Sequence, residues 1–379
     1  MKYDVCILGA GPAGLSAAFE LQNSGARVIL VERHTTPGSK ACGGGLTADA
    51  MTAFSRMTAD CASNDEALVS QLAFEPYQRL TVYSGGVGVP DFIHRLWCAT
   101  AHTGNNDIGF LFSSRLRFRT AYMHVSSRVH WQSHLLKSLQ NKGVRVLSGM
   151  RGIGFDRKSV VLSNGSSVHA DFIVAADGSK SRCRRQLGLP SAVGAVCRQL
   201  RIPRSLAADA ANAAPSVWFN HDLFGASYGW VFPYRHELRI GCGVPTELVH
   251  SAARLKSAFF SWLSHLNISW QQGKLEGGSI GSRYAGHRFG HIFLAGDAAG
   301  MASSVTGEGI GQAIISGAEV AREILQSNYR SSIIPALAIR HERTFGVLSQ
   351  SRPGPALYRY AAPALRFPGV ASLAIRKFS

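Results

Sequence analysis

The feature that most constrains this chain is a glycine-rich turn between two predicted strands near its beginning. Residues 2–8 read as a buried strand, and the sequence G-A-G-P-A-G follows at the start of a helical pattern. A second apolar strand, residues 27–31, ends on Glu32. A strand, a glycine turn, a helix and a second strand in this order predict a βαβ unit that binds a dinucleotide.

Each glycine of the turn has its own mechanical role. Gly9 permits the tight turn, Gly11 lets the backbone approach a pyrophosphate, and Gly14 lets the helix pack closely on the sheet. The helix N-terminus offers N–H groups and a positive dipole to the phosphates. Glu32 would accept hydrogen bonds from ribose hydroxyls and would repel a 2′-phosphate, and we predict a cofactor contact for Arg33 beside it. FAD or NAD is therefore favoured over NADP.

Two distant segments each run from a buried strand into an acidic turn. Residues 170–179 end on Asp177-Gly178 after a predicted hairpin whose tip is Asn164-Gly165, and residues 291–300 contain Gly296-Asp297-Ala298. Taken singly, either aspartate is equally well an ordinary strand-end turn residue. Together, and behind the glycine turn, the two segments indicate a cofactor site.

In this arrangement the sequence resembles the flavoprotein hydroxylase-like group over most of residues 1–330. The resemblance implies FAD, with Asp297 on the ribityl chain. The N–H groups of Gly307, Gly309 and Ile310 would face the flavin pyrimidine edge, where reduced flavin carries negative charge. Arg128 matches an FAD-binding arginine of the group, although Trp131-Gln132 stands where an aromatic–acid pair is usual.

A helix predicted to end at Leu325 follows these glycines. Gly309, Ala313, Gly317 and Ala321 recur at every fourth position of it. Residues four apart share a helix face, so we expect this helix to lie very close to a neighbour.

Two further segments resemble signatures of the geranylgeranyl reductase family. They are K-A-C-G-G-G-L at residues 40–46 and Y-G-W-V-F-P at residues 228–233. The resemblance implies a substrate cavity above the flavin ring, lined by Cys42, Tyr228 and Trp230, which are the predicted catalytic residues, with Cys42, Gly43 and Gly44 also close to the cofactor. From the residues alone, Cys42 is equally a small buried thiol, and the aromatic pair is equally sheet core.

The sequence departs from the patterns of three flavoprotein families at positions that bear on the reaction. Ser304 stands where the family usually has proline, which leaves substrate and reaction type open. Gly300 stands where aromatic hydroxylases usually have histidine, and the W-x-W-x-I-P signature of flavin-dependent halogenases is absent.

Composition bears on partners and location. The 40 Lys and Arg against 23 Asp and Glu leave a net charge of +17, and residues 331–379 are basic with an apolar pattern broken by prolines. We expect this region to be a helical cap on its own domain, or an anchor to an anionic membrane surface or an acidic protein. Seven cysteines without a C-x-x-C pair and no apolar run of membrane-span length predict a cytoplasmic protein, peripheral to a membrane if the basic region binds lipid. His130 and His134 lack a third ligand, so no metal is predicted.

These observations predict an α/β fold, with a three-layer FAD-binding Rossmann-like domain, an inserted mostly antiparallel-sheet substrate domain and a C-terminal helical region. The FAD domain is expected from residues 1–70, 125–185 and 280–330, and the substrate domain from 71–124 and 186–279. No second G-x-G-x-x-G occurs, so electrons would come from NAD(P)H, a ferredoxin or a flavin reductase.

The leading functional prediction is reduction of a C=C bond in an apolar, isoprenoid-like substrate by hydride transfer from flavin N5. An alternative is an FAD-dependent monooxygenase acting on an aromatic substrate, such as a tryptophan side chain of an acidic partner protein in quinone-cofactor maturation. A third, a basic nucleic-acid-binding flavoprotein without turnover, is disfavoured because the chain has neither a lysine-rich arm nor an aromatic RNA motif.

Overall fold

The computed structural model describes residues 2–37, 40–62, 74–85, 110–117, 121–207, 214–224, 227–246, 252–303 and 306–340. Ser304 and residues 341–379 lie outside these ranges, so the predictions for the proline replacement and for most of the C-terminal region fall outside the described residues. No helix in the described ranges is long and apolar enough to cross a membrane.

The helices and strands follow the predicted alternation. The helices are α1 (Pro12–Asn23), α2 (Ala48–Ala62), α3 (Arg128–Asn141), α4 (Arg182–Gln186), α5 (His221–Phe224), α6 (Ala252–His265) and α7 (Ile310–Leu325), and residues 333–340 are also helical. The strands are β1 (Lys2–Leu8), β2 (Val28–Glu32), β3 (Gly45–Thr47), β4 (Glu75–Tyr77), β5 (Arg79–Gly85), β6 (Phe110–Arg117), β7 (Met123–Val125), β8 (Arg145–Ser148), β9 (Gly152–Asp156), β10 (Ser159–Leu162), β11 (Ser167–Ala175), β12 (Val193–Pro203), β13 (Ser216–Asn220), β14 (Gly229–Pro233), β15 (Glu237–Pro245), β16 (Lys274–Gly281), β17 (Arg288–Phe289) and β18 (Ile292–Leu294).

A parallel sheet brings the predicted cofactor segments to one edge. Its strands lie in the order β17, β18, β11, β1, β2 and β8, and β18, β11, β1, β2 and β8 run parallel. Leu8 pairs with both Val31 and Ala175, and Ala175 pairs with Leu294. Because the carboxyl ends of neighbouring parallel strands meet at one edge, the glycine turn, Glu32 and the two acidic turns emerge side by side.

Helices α1 and α7 and the β9–β10 pair pack close to this sheet. On one side, α1 and α7 approach backbone to backbone: a Cβ on Gly317 would overlap the Ala13 carbonyl oxygen, and Ser16 Oγ donates to the Ile314 carbonyl at 2.7 Å. The antiparallel β9–β10 pair extends from β11, and a Cβ on Gly152 of β9 would come within 2.9 Å of Leu8. The close helix contact expected from the small residues of α7 is confirmed, as is the three-layer α/β fold.

A second sheet carries the predicted aromatic wall. Its order is β16, β12, β15, β14, β13, β5 and β6, and all pairs are antiparallel except β13 with β5. One face packs on α6 in an apolar core that includes Leu200, Ile240, Phe259 and Trp262. The other face meets the 40–45 loop, and a small sheet of β3, β7 and β4 continues from that loop.

Candidate active site

The glycine turn connects the end of β1 to the start of α1, as its sequence predicts. Gly9 has a φ of +104°, and a Cβ there would overlap the Ala176 carbonyl oxygen of the neighbouring strand end. A Cβ on Gly14 would overlap the Gly9 carbonyl oxygen, so the start of α1 touches the turn itself. Around Gly11, by contrast, no described atom lies within 4 Å of an added Cβ. The three glycines thus separate into two packing positions and one open position.

The end of β2 places Glu32 beside this turn. The side chain is buried, and its two oxygens accept hydrogen bonds from the Ala10 N–H at 2.7 Å and the His34 N–H at 3.0 Å. Each carboxylate oxygen can accept a second bond, so the group is held in place with acceptor capacity left. Arg33 is exposed.

The Asp177-Gly178 turn leaves an unsatisfied acceptor inside the protein. Asp177 Oδ2 accepts the Arg182 N–H at 2.9 Å, whereas Oδ1 is buried without a hydrogen-bond partner. Burial raises the pKa of this carboxyl above its usual value, although hydrogen bonds from the start of α4 oppose the rise. Gly178 has a φ of +85° and open space at its Cβ position. A buried orphan acceptor of this kind calls for a ligand or water donor.

In the second acidic turn, residues 296–298, Asp297 forms an ion pair with a lysine. Lys40 Nζ lies 2.5 Å from Asp297 Oδ2, and a Cβ on Gly309 would lie 3.4 Å from Asp297 Oδ1. Ala298 is fully buried, and its carbonyl accepts a 3.0 Å bond from the buried Arg184. Arg184 also donates to two further carbonyls, those of Arg283 and Pro190. No sequence motif predicted this role.

The loop before α7 combines an open helix end with a buried carboxyl. Gly307 has a φ of +65°, and no side chain caps the helix at its N-cap residue Gly309. Glu308 Oε1 accepts a hydrogen bond from Thr47 Oγ1 at 2.6 Å. Burial raises the pKa of Glu308 to about 7. Helix α7 begins at Ile310. The backbone N–H groups of its first turn therefore have no partner within the helix and point out of its N-terminal end.

The 40–45 loop lies flat on the second sheet. The Gly43 carbonyl accepts from Tyr234 OH, and the Cys42 carbonyl lies 3.4 Å from Arg239 Nη1. A Cβ on Gly43 would come within 2.6 Å of the Phe232 ring, and a Cβ on Gly44 would overlap Tyr234 OH. Consecutive glycines are therefore required for this contact. The Cys42 thiol is partly exposed, and its Sγ accepts from the Gly44 N–H at 3.3 Å.

The two predicted wall residues differ in exposure. Tyr228 is partly buried, and its hydroxyl donates to the Thr306 carbonyl in the loop before α7. Trp230 is 8% exposed, and a Cβ on Gly241 of the next strand would overlap its indole. Its Nε1 lies 3.4 Å from Gln199 Oε1, one strand further on. The two rings lie 6.2 Å apart in an edge-on arrangement.

A charged row of side chains, with the neutral Gln199 at its Trp230 end, was not predicted. It consists of Gln199, Glu276, Arg201, Glu237 and Arg239, joined by contacts of 2.7 to 3.3 Å. Burial would raise the pKa of Glu237, but the two arginines outweigh it and hold that pKa below its usual value. The row ends at the Cys42 carbonyl, so it connects Trp230 to the 40–45 loop. Charged residues on strands carry no local signal for such a row.

Helix α3 presents two buried donors. Arg128 Nε and Gln132 Nε2, one turn apart, have no hydrogen-bond partner. In the described chain no hydrogen bond or ion pair joins Arg33 or Arg128 to the other predicted site residues. No cluster of potential metal ligands occurs in the described ranges, and His134 Nδ1 lies 2.9 Å from the His130 carbonyl.

The residues present fit a flavin dinucleotide. The open position at Gly11, the orphan acceptor of Asp177 and the orphan donor of Arg128 are the kinds of groups that a phosphorylated, polyhydroxylated ligand satisfies. The structure brings together the glycine turn, Glu32 and both acidic turns at one sheet edge.

Comparisons with known proteins agree with this geometry. Residues 2–202 match the family described as FAD binding domain. A menaquinone reductase of Mycobacterium tuberculosis is 24% identical over 370 residues, covering 91% of this chain and 82% of that protein. Digeranylgeranylglycerophospholipid reductase 2 of Methanosphaera stadtmanae is 23% identical, covering 84% of this chain and 76% of that protein.

Among solved structures, a geranylgeranyl bacteriochlorophyll reductase-like protein of Thermoplasma acidophilum superposes with a TM-score of 0.65 at 20% identity. The match covers 98% of this chain and 89% of that one. It shows that the fold extends through both sheets.

Proposed function

We propose that this chain, which belongs to the FAD binding domain family and is an FAD-dependent oxidoreductase, reduces a C=C bond in an apolar, isoprenoid-like substrate. The cofactor FAD and the enzyme class are the premise. The substrate class, the bond reduced and the residue roles are the proposal.

The observation that carries the proposal is the seating of the 40–45 loop on strand β14. A Cβ on Gly43 would come within 2.6 Å of the Phe232 ring and 3.4 Å of Trp230, and Tyr234, the residue directly after β14, donates to the Gly43 carbonyl. Residues 40–46 and 228–233 are thus in contact although they lie far apart in sequence. These are the two segments whose sequences resemble geranylgeranyl reductase signatures. Relatives over most of the chain are named as reductases of menaquinone and of digeranylgeranylglycerophospholipid, which supports the same substrate class.

The chain's own residues would hold FAD along the edge of the parallel sheet. Gly9, Gly11, Gly14 and the α1 N-terminus would receive the pyrophosphate, and Glu32 the ribose. The further cofactor contacts we propose are Arg33, Cys42, Gly43, Gly44, Arg128, Asp177, Gly178, Asp297, Ala298, Gly307, Gly309 and Ile310. Bound FAD would supply the hydride from N5.

We assign two groups to the surface of the substrate cavity. Cys42 and Tyr228 are both partly exposed, and Tyr228 OH donates to the Thr306 carbonyl in the loop before α7, whereas Trp230 is packed over Gly241. We assign Cys42 and Tyr228 to the cavity surface and Trp230 to its supporting wall. An apolar substrate gains about 0.8 kcal/mol for each CH₂ group that it buries in such a cavity. A proton reaches the second carbon from solvent or from a wall residue.

An external reductant is required. The donor is a transiently bound NAD(P)H, a ferredoxin or a flavin reductase.

The test is anaerobic reduction of the flavin-loaded protein, followed by mixing with a geranylgeranyl lipid. We expect flavin reoxidation and a product with two additional hydrogens, and a fully saturated chain should give neither. Mixing the reduced protein with aerated buffer and an aromatic substrate tests the monooxygenase alternative. A hydroperoxide-like absorbance followed by hydroxylation of the substrate would overturn the reductase proposal. Protein that is colourless and takes up no added FAD would overturn the assignment of the cofactor-binding residues.

A variant pair tests the thiol. Cys42→Ala should lower turnover with flavin content intact, whereas Cys197→Ala, in the buried strand beneath the loop, should leave turnover close to wild type. Equal turnover for Cys42→Ala and wild type would remove Cys42 from the reacting site.

A further inference from the structure

Two carboxyl groups at the start of α7 have different partners. Asp297 forms an ion pair with Lys40, at 2.5 Å. The Glu308 carboxyl accepts one hydrogen bond, from the Thr47 hydroxyl at 2.6 Å, and no described basic side chain forms an ion pair with it. Its charge is therefore not balanced locally.

The groups that face Glu308 do not supply the missing positive charge. Asp49 of α2 adds a further negative charge, and the neighbouring Tyr228 is a neutral phenol whose hydroxyl donates to the Thr306 carbonyl. Lys40 is already paired with Asp297. Burial accordingly raises the pKa of Glu308 to about 7, while the bond from Thr47 opposes the rise. This carboxyl changes its protonation state near neutral pH.

The position of Glu308 links it to the cofactor. It lies between Gly307 and the N-cap Gly309, the segment whose N–H groups we assign to the flavin. A carboxylate there would repel any negative charge that reduction adds at the same helix end, because like charges a few ångströms apart raise each other's energy.

We propose that Glu308 takes up one proton from solvent when the bound flavin is reduced, and releases it on reoxidation. The inference rests on the proposed function, since it needs FAD with its ring at the α7 N-terminus. Two electrons come from the external donor, and the additional proton comes from water and forms the O–H bond of the Glu308 carboxylic acid. Glu308 is thus a residue that couples electron and proton transfer without contacting the substrate.

The measurement is proton uptake on anaerobic photoreduction of the flavin-loaded protein, in weak buffer with an indicator dye, from about pH 6 to about pH 9, a range that brackets the Glu308 pKa. Above about pH 7, where oxidised-state Glu308 is ionised, wild type should take up one proton more per two electrons than Glu308→Gln. Well below about pH 7 the two proteins should agree. The midpoint potential of the flavin should show the same difference in its dependence on pH.

Two variants keep the test independent of how well Glu308→Gln folds. Thr47→Val removes the hydroxyl that lowers the pKa, so the extra uptake should begin at higher pH. Asp49→Asn removes an exposed neighbouring charge and should retain the extra uptake. Equal uptake by wild type and Glu308→Gln, an unshifted onset in Thr47→Val, or loss of the extra proton in Asp49→Asn would each overturn the proposal. Absence of bound FAD would instead overturn the proposed function.

Discussion

Gly11 and Gly14 are three residues apart and have opposite surroundings. Gly11 has a φ of −73°, which any residue adopts, and open space where a Cβ would lie. Gly14 packs on the Gly9 carbonyl oxygen. The first glycine therefore leaves room for a ligand, and the second is needed by the fold.

Alanine at these two positions should separate cofactor binding from stability. Gly11→Ala should leave the unfolding free energy of the FAD-free protein within about 0.5 kcal/mol of wild type, yet weaken FAD at least about tenfold. Gly14→Ala should destabilise the protein by about 1–3 kcal/mol, because the helix must move off the turn. Denaturant unfolding and FAD titration measure the two effects. Normal FAD affinity in Gly11→Ala would mean that the pyrophosphate does not bind next to Gly11.

Glu308 should make stability depend on pH in a defined direction. Its pKa is raised from 4.5 to about 7 in the folded protein, so the folded state keeps a proton that the unfolded chain releases. The resulting stabilisation is full below about pH 4.5 and is lost as pH rises through about 7. Relative to Glu308→Gln, wild type should lose on the order of 3 kcal/mol between about pH 4.5 and about pH 8. Denaturant unfolding of both proteins at the two pH values measures this, and parallel pH profiles would contradict it.

Local patterns predicted the elements that local forces determine. Strands β1 and β2 and helix α1 were predicted from apolar periodicity and glycine placement, and each lies within a few residues of its expected bounds. The hairpin at Asn164-Gly165 is also present, with Gly165 at a φ of +84°. The position of Trp230 had no such signal, because it depends on Gly241 and Gln199 on two other strands.

Strand β15 offers a matched pair of glycines on the face that meets the loop. A Cβ on Gly241 would overlap the Trp230 indole, whereas a Cβ on Gly243 would only reach Ser227 Oγ at 3.4 Å. Gly241→Ala should therefore displace Trp230, lower stability by about 1–3 kcal/mol, and change the near-ultraviolet circular dichroism. Gly243→Ala should change neither by much. Equal effects of the two substitutions would mean that Trp230 is free to repack.

At the scale of the molecule, the cofactor site is a meeting of segments far apart in sequence. The strand ends of the first sheet were predicted as a group, because each segment carries its own short signature. The charged row that connects Trp230 to the 40–45 loop was not predicted. Arg201, Glu237 and Arg239 pair with one another only because neighbouring strands of the second sheet bring them together, and no local pattern reports such pairing.

Arg239 is the member of that row that joins the second sheet to the 40–45 loop. It is 5% exposed, bonds Glu237 at 2.7 Å, stacks on the Tyr234 ring and lies 3.4 Å from the Cys42 carbonyl. Arg239→Gln should lower the unfolding free energy by about 1–3 kcal/mol, since the half-buried Glu237 carboxylate loses a charged donor. It should also weaken FAD retention, because the 40–45 loop loses a contact.

Arg235→Gln is the matched control for Arg239→Gln. Arg235 is exposed in the turn between β14 and β15, the strand that carries Arg239. It removes the same charge from the protein and should leave stability and FAD retention unchanged. Thermal unfolding with and without added FAD distinguishes the two arginines. If both variants lose FAD equally, net positive charge rather than the Arg239 contact holds the cofactor; if only Arg239→Gln does, the second sheet positions the loop that closes over the flavin.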